Sequence, residues 1–148
     1  MITKDEAQNL LQDFLKIESI TPDVGDAFDF LERLFIKYNF EVQRVKFKSD
    51  DLYEVENMFA TIGSTAPHFC FAGHADVVTP GKVSDWSRPP FSGYIENNII
   101  FSRGAEDMKG ALISSIIAGI NYIQNPIDQN HRLSYLITGD EEGIAING

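Results

Sequence analysis

The sequence contains little cysteine, few basic residues and no long apolar run. Its one cysteine, Cys70, excludes a disulfide within the chain. Cys70 lies in the apolar stretch HFCFAGH, which predicts a buried thiol in a reducing compartment. The longest apolar segment, ALISSIIAGINYI, is too short and too polar to cross a bilayer. Because the first residues are charged and amphipathic rather than a signal peptide, we expect a cytoplasmic protein.

Basic residues are also outnumbered by acidic ones. The chain of 148 residues has 12 Lys and Arg against 22 Asp and Glu, which gives a net charge of −10. This balance argues against nucleic acid as a partner, since proteins that bind it are usually basic, and against an anionic membrane surface. Most of the acids would then keep the protein soluble, and a smaller share could serve as metal ligands.

Strands and helices alternate along the chain. The apolar pattern predicts helices over residues 3–19, 26–39 and 108–125, the first with a capping box (Thr3, Glu6) and the second capped by Asp26. It predicts strands over residues 40–47, 56–63, 68–74 and 131–140, and a hairpin over 94–104 that turns at Asn97-Asn98. Strands 68–74 and 131–140 are apolar on both faces, as in strands covered by helices. This order predicts an α/β layered domain, whose ligands bind beyond the carboxyl ends of strands.

Two of the predicted strands end in residues that can do chemistry. One ends in GHAD, where His74 and Asp76 are two apart and so point the same way in an extended segment. A carboxylate so placed can orient a metal-binding imidazole, but the H-x-D pair alone is weak evidence, because a surface histidine near a turn is the commoner interpretation. The other strand runs into GDEEG, where Glu141 and Glu142 could be a proton acceptor and a metal ligand, or a solvated acidic turn.

A third acidic position, Asp107, lies in SRGAEDMKG just before a predicted helix. Taken alone, this aspartate is best interpreted as a helix N-cap, because Asp is a favoured capping residue. Each of the three motifs is weak evidence for a functional site when taken alone, but their order and spacing together are stronger evidence. His74 and Asp107 are 33 residues apart, and Asp107 and Glu141 are 34 apart.

In this arrangement the chain resembles the zinc aminoacylase and carboxypeptidase family of metallohydrolases. The matching segments are GHADVV, DWSRPPF, RGAEDMKG and ITGDEEG, all in family order. The segments SITPDVGDAFDFL and YNFEV are also similar to one branch, the succinyl-diaminopimelate desuccinylases. The resemblance extends from Thr3 to Gly148. It implies a three-layer α/β/α catalytic domain with a mixed, mostly parallel sheet.

The resemblance also implies a metal centre. His74 would bind one zinc ion, Glu142 a second, and Asp107 would bridge the two through its carboxylate. Cobalt is a possible substitute for zinc. The peptide bond from Asp107 to Met108 would be cis. His68 matches no ligand of the family, and neither does His131, so both are interpreted as structural.

Two further residues would act on the substrate or on a ligand. The resemblance implies that Asp76 holds the imidazole of His74 and that Glu141 is the general acid and base. The small-molecule substrate would be N-succinyl-LL-2,6-diaminopimelate, hydrolysed to succinate and LL-2,6-diaminopimelate in bacterial lysine and diaminopimelate synthesis. The alternatives are an N-acetylornithine deacetylase or dipeptidase of the same family and, in another class, a non-catalytic binding module that kept the fold. The loop residues Trp86, Pro89, Pro90 and Phe91 match the family and could serve either packing or substrate contact.

Members of this family are much longer than this chain. We therefore expect residues 1–148 to be the N-terminal part of the catalytic domain, incomplete at the C-terminal side of its sheet. The lid domain and the C-terminal part of the catalytic domain would be absent, and the full-length parent would be a homodimer through that lid. Because each metal ion would keep too few protein ligands here, we expect this chain alone to have little or no activity.

Overall fold

A computed structural model describes residues 1–125 and 131–148. Its helices are α1 (Lys4–Leu15), α2 (Gly25–Lys37) and α3 (Gly110–Ile123). Its strands are β1 (Glu41–Phe47), β2 (Val55–Ile62), β3 (His68–His74), β4 (Tyr94–Glu96), β5 (Ile99–Phe101) and β6 (Arg132–Thr138). A single helical turn spans Val83–Asp85, and a wide helical turn, Ala105–Lys109, leads into α3. The predicted elements are thus confirmed in kind and order, with their ends shifted by a few residues.

The ends of the first two helices differ in how well the sequence predicts them. At α1 the capping box is confirmed: Glu6 N–H donates to the Thr3 hydroxyl at 3.3 Å, and Thr3 N–H donates to the Glu6 carboxylate at 2.8 Å. At α2 the predicted Asp26 cap is wrong, because the helix begins at Gly25 after Val24, which makes no side-chain cap. Asp26 lies instead in the first turn, where its charge favours the helix dipole.

The main sheet has the strand order β1-β2-β6-β3. Strand β6 pairs in parallel with β3 and antiparallel with β2, and β1 is antiparallel to β2. The predicted α/β class and mixed sheet are confirmed. The prediction of a mostly parallel sheet is wrong for the described residues, because β1 and β2 form a hairpin and only the β3–β6 pair has a crossover helix, α3.

The core lies between the helices and one face of this sheet. Its largest fully buried side chains are Phe14, Leu15, Phe28, Leu31, Phe35, Met58, Leu112, Ile113, Ile116, Ile120 and Tyr135, together with Lys109. On the opposite face, Val45 is 43% exposed and Leu136 is 42% exposed. The described residues therefore form two layers, and the third layer of the predicted α/β/α arrangement is not among them.

Strand β3 corrects two expectations. It is the outer strand of the described sheet, so Phe69 is 65% exposed although the strand was expected to be covered on both faces. Cys70 is exposed as well, so the predicted burial of its thiol is wrong. Phe69 is on the α3 side of the sheet, level with Leu133, and is exposed because no described strand lies beyond β3. Cys70 is on the other face, which no described helix covers. No described helix combines the length and apolar character that a membrane span requires.

The parallel pairing of β3 with β6 creates the edge on which the candidate site is built. His74, the last residue of β3, is level with Thr138, the last residue of β6. The next residue, Ala75, donates its N–H to the Thr138 carbonyl at 3.0 Å and so extends the pairing beyond the strands. The GHAD and GDEEG segments consequently leave the sheet side by side.

Candidate metal centre

His74 presents one ring nitrogen to the site and uses the other to fix its orientation. Its side chain is buried, and Nδ1 donates to the Asp76 carbonyl oxygen at 3.0 Å. Since a carbonyl can only accept, Nδ1 carries the proton, and Nε2 is the nitrogen with a free lone pair in the neutral ring. Nε2 lies 3.1 Å from Asp107 Oδ1 and 3.5 Å from Glu141 Oε2.

Asp107 does not cap a helix, so the N-cap interpretation is wrong. Lys109 precedes α3 at the cap position, and Asp107 lies inside the wide turn with its side chain 73% exposed and directed at His74. The peptide bond from Asp107 to Met108 is cis, as the resemblance implied. Met108 completes the contact with β3, because its sulfur accepts the His74 N–H at 3.3 Å. A Cβ at Gly73 would lie 2.9 Å from the Met108 methyl carbon, so a larger residue there would have to displace the end of the methionine side chain.

Lys109 holds this wide turn against the end of α1, a role that the sequence did not predict. It is fully buried, and its Nζ donates to the carbonyl oxygen of Ile17 at 2.6 Å and to that of Phe14 at 3.4 Å. Burial lowers the pKa of Lys109 to about 8. The amine thus joins the end of α1 to the segment that carries Asp107.

Asp76 connects His74 to the acidic turn. Its carboxylate is fully buried and lies 3.4 Å from His74 Nδ1. It accepts the backbone N–H of Glu141 at 3.3 Å and that of Glu142 at 3.0 Å. Burial alone would raise the pKa of Asp76, but His74 and these two amides outweigh it and hold the pKa below its ordinary value. Asp76 therefore orients the imidazole and both glutamates together.

Three of the predicted residues bring ligand atoms together. One atom each of His74, Asp107 and Glu142 lies within 4.8 Å of the others. An imidazole nitrogen with two carboxylate oxygens is a donor set that zinc accepts. Burial and the charges of Asp107 and Glu141 raise the pKa of Glu142, and a cation among these carboxylates would offset that repulsion. The residues present therefore fit a zinc ion.

The remaining predicted positions lie around this centre or away from it. Glu141 is exposed beside His74 rather than among the three converging ligand atoms. His68 hydrogen-bonds the Ser134 hydroxyl at 2.8 Å, and the His131 ring packs against Tyr122 at a tilt, in keeping with structural roles. In the loop, the Pro90 carbonyl accepts the Arg103 N–H, which ties the loop to the strand end that precedes Asp107.

A comparison with known protein families matches residues 70–148, more than half of the chain, to the peptidase family M20/M25/M40. The chain belongs to this family. The matched region contains His74, Asp76, Asp107, Glu141 and Glu142. Membership in the M20/M25/M40 family confirms the resemblance drawn from the motifs and supports metal-dependent hydrolase chemistry.

Curated relatives in the M20/M25/M40 family are similar over nearly all of the chain. The succinyl-diaminopimelate desuccinylase of Rhodopseudomonas palustris strain BisB18 is 41% identical over 148 residues, which cover 97% of this chain and 38% of that protein. The enzyme of the same name from Pelagibacter ubique strain HTCC1062 is 42% identical over 139 residues, covering 94% of this chain and 36% of the relative. The chain thus spans well under half the length of these relatives.

Solved structures of related enzymes share the fold. The M20 family metallo-carboxypeptidase Sso-CP2 from Sulfolobus solfataricus is 29% identical with a TM-score of 0.79, covering 93% of this chain and 31% of that one. Human carnosine dipeptidase 1 superposes with a TM-score of 0.84 at 22% identity, over 97% of this chain and 33% of its own. The described layers therefore correspond to part of a larger metallopeptidase fold.

We expect zinc to bind more tightly as the pH rises toward 9, because His74 must lose its proton before it can bind the metal. Burial would lower the pKa of His74, but hydrogen bonds to Asp76 and Asp107 outweigh it and raise the pKa to about 9. Because a protonated imidazole cannot bind metal, each pH unit below that value weakens binding by about tenfold. Cobalt titrations between pH 6.5 and 9 measure this dependence, and His131→Gln serves as the control that leaves it unchanged. An affinity that does not vary with pH would remove His74 from the ligand set.

Proposed function

We propose that the chain is the N-terminal part of the catalytic domain of a zinc-dependent amidohydrolase that acts on N-succinyl-LL-2,6-diaminopimelate. The convergence of His74, Asp107 and Glu142, with Glu141 beside them, is the observation that carries the proposal. The similarity to succinyl-diaminopimelate desuccinylases supports the choice of substrate. The enzyme would serve bacterial lysine and diaminopimelate synthesis in the cytoplasm, as a homodimer formed through a lid domain outside this chain.

Each of the site residues has a defined task in this proposal. His74 and Glu142 would each hold one of two zinc ions, and Asp107 would be shared between them; cobalt could replace zinc. Bound zinc would supply a Lewis acid for the amide carbonyl and stabilise negative charge on its oxygen. Asp76 keeps the His74 imidazole in the tautomer whose Nε2 is free, because the Asp76 main-chain carbonyl accepts from Nδ1.

Glu141 would move the proton. Its carboxylate is exposed and lies 3.5 Å from His74 Nε2, so it can reach water that enters between the metal ligands. Water adds its oxygen to the amide carbon while Glu141 takes a proton. The C–N bond then breaks, and Glu141 returns the proton to the leaving amine. The products are succinate and free diaminopimelate.

Two other functions share part of this evidence. An N-acetylornithine deacetylase or a dipeptidase would use the same centre and differ in the substrate pocket. The dipeptidase alternative is supported by the fold shared with carnosine dipeptidase 1. A non-catalytic binding module would have no need of Glu141 and Asp76, and both are present.

Substrate choice is tested on a protein of the relatives' length that contains this chain. We expect kcat/KM for N-succinyl-LL-2,6-diaminopimelate to exceed that for N-acetylornithine and for carnosine by at least about 100-fold, a difference that one specific polar contact to the acyl carboxylate can supply. The three substrates are assayed in parallel with zinc present. A preference for the acetyl substrate or the dipeptide would assign the chain to that alternative, and no hydrolysis of any would favour the binding module.

A further inference from the structure

The acidic turn is also held by contacts that do not involve Asp76. Asp140 precedes the two glutamates and is 1% exposed, although it is a carboxylate at the end of a strand. Its Oδ1 accepts the Tyr53 hydroxyl at 2.6 Å and the Thr21 hydroxyl at 3.1 Å. Its Oδ2 accepts the Ala145 N–H at 3.0 Å, which closes the turn on itself.

We propose that Thr21, Tyr53 and Asp140 form a clamp that positions Glu141 and Glu142 for metal binding. This inference rests on the proposed metal centre for its functional consequence and on the contacts alone for its structure. Thr21 and Tyr53 are positioning residues, because they act on the glutamates through Asp140. Neither hydroxyl belongs to the family motifs on which the candidate metal ligands were chosen.

Gly143 shows how closely the turn wraps around the clamp. A Cβ at this position would lie 2.1 Å from Asp140 Oδ1, 2.9 Å from the Tyr53 hydroxyl and 3.0 Å from the Thr21 hydroxyl. Any side chain there would displace the carboxylate from its donors. The glycine is therefore required by the clamp.

Electrostatics explains why the turn needs to be held. Asp140, Glu141 and Glu142 are consecutive acids, and Asp76 and Asp107 lie close to the glutamates, so the carboxylates repel one another. The Asp140 carboxylate is satisfied by two hydroxyls and an amide, and it does not compete for a metal ion. Its hydrogen bond raises the pKa of Tyr53, which keeps the phenol protonated and able to donate.

Asp76 and the clamp hold different parts of the acidic turn. Asp76, which follows β3, accepts the amides of Glu141 and Glu142. Asp140 joins the turn to the loop between α1 and α2 through Thr21, and to the loop between β1 and β2 through Tyr53. Asp76 thus holds the backbone amides of the two glutamates, and the clamp holds the turn at Asp140 before them and at Ala145 after them.

Tyr53→Phe tests the clamp in the 148-residue chain, because it removes one hydroxyl and keeps the ring. The matched control is Tyr94→Phe, whose hydroxyl contacts Glu96 on the β4–β5 hairpin at 3.4 Å. In metal-free protein, we expect amide hydrogen exchange at Ala145, whose N–H donates to Asp140, to rise about fivefold, the effect of one net hydrogen bond, with protection in β6 unchanged. We expect zinc affinity, measured by competition with a chromophoric chelator, to fall by a similar factor of about five.

A second pair of variants separates the hydroxyl from the shape of the side chain. Thr21→Ser keeps the donor and should retain zinc affinity, whereas Thr21→Val removes it and should weaken binding. Unchanged exchange in Tyr53→Phe overturns the clamp, whether or not metal binds. Faster exchange with unchanged zinc affinity overturns the positioning role. If the unsubstituted chain shows no saturable zinc binding, the proposed function fails, and the exchange data still decide the clamp.

Discussion

We expect replacement of Glu141 with glutamine to lower turnover by on the order of 10²–10⁴ in a protein that contains this chain and the rest of the catalytic domain. Glutamine keeps the shape of the side chain but cannot accept a proton from water. It also cannot donate one to the leaving amine, so the loss falls at the upper end of that range or beyond it. Zinc content should stay unchanged, since Glu141 is not among the three converging ligand atoms.

The matched control for this variant is Glu106→Gln. Glu106 is exposed and neighbours Asp107, so it tests the loss of one negative charge near the site. Turnover of the control should remain close to that of the unsubstituted protein. Near-normal turnover of Glu141→Gln, measured with saturating substrate, would exclude Glu141 from the mechanism.

Replacing Asp76 with alanine lowers metal affinity by about 10–100-fold, as expected when the partner of a ligating histidine is lost. The carboxylate is fully buried and serves the His74 imidazole and the amides of both glutamates. Its removal leaves the His74 ring held at Nδ1 by the Asp76 main-chain carbonyl alone, and it leaves two part-buried amides without an acceptor. The variant should therefore also lose stability, by an amount set by the unsatisfied groups.

Zinc competition titrations and urea unfolding measure these two effects separately. Asp85→Ala is the control, because Asp85 lies in an exposed turn beside Lys82. Asp76→Asn should recover part of the stability but less of the metal affinity, since the amide keeps an acceptor oxygen and loses the charge. An Asp76→Ala chain that binds zinc as tightly as the unsubstituted one would show that the Asp76 carboxylate does not orient the metal ligands.

The placement of His74 and Glu142 could be predicted from the sequence. Both follow apolar strands, and parallel strands that neighbour each other bring their carboxyl ends to one edge. For Asp107 the local pattern favours a helix cap, and only the resemblance to the metallohydrolase family indicated a ligand. Local helix propensity does not predict the wide turn Ala105–Lys109, which directs the Asp107 side chain toward β3.

The residues that support the site could not be predicted. Tyr53 and Thr21 lie in polar loops, and they contact Asp140 over separations of 87 and 119 residues along the chain. From the sequence, Lys109 would be expected on the surface at the start of a helix, yet it is fully buried. Buried hydrogen bonds between distant segments leave no periodic signal in a sequence. A glycine such as Gly143 is the nearest the sequence comes to indicating such a contact, because it allows a close approach but does not identify the residue that approaches.

Zinc titration of the 148-residue chain at pH 8 tests whether His74, Asp107 and Glu142 bind a metal ion. We expect saturable binding that is weak enough to be removed by dialysis against a chelator, because the described ligands are few for each metal ion. Binding should be lost in His74→Ala and in Asp107→Ala, and retained in the control Asp85→Ala. If neither ligand variant affects binding, or if two zinc ions per chain survive the chelator, His74, Asp107 and Glu142 do not form the metal site proposed for them.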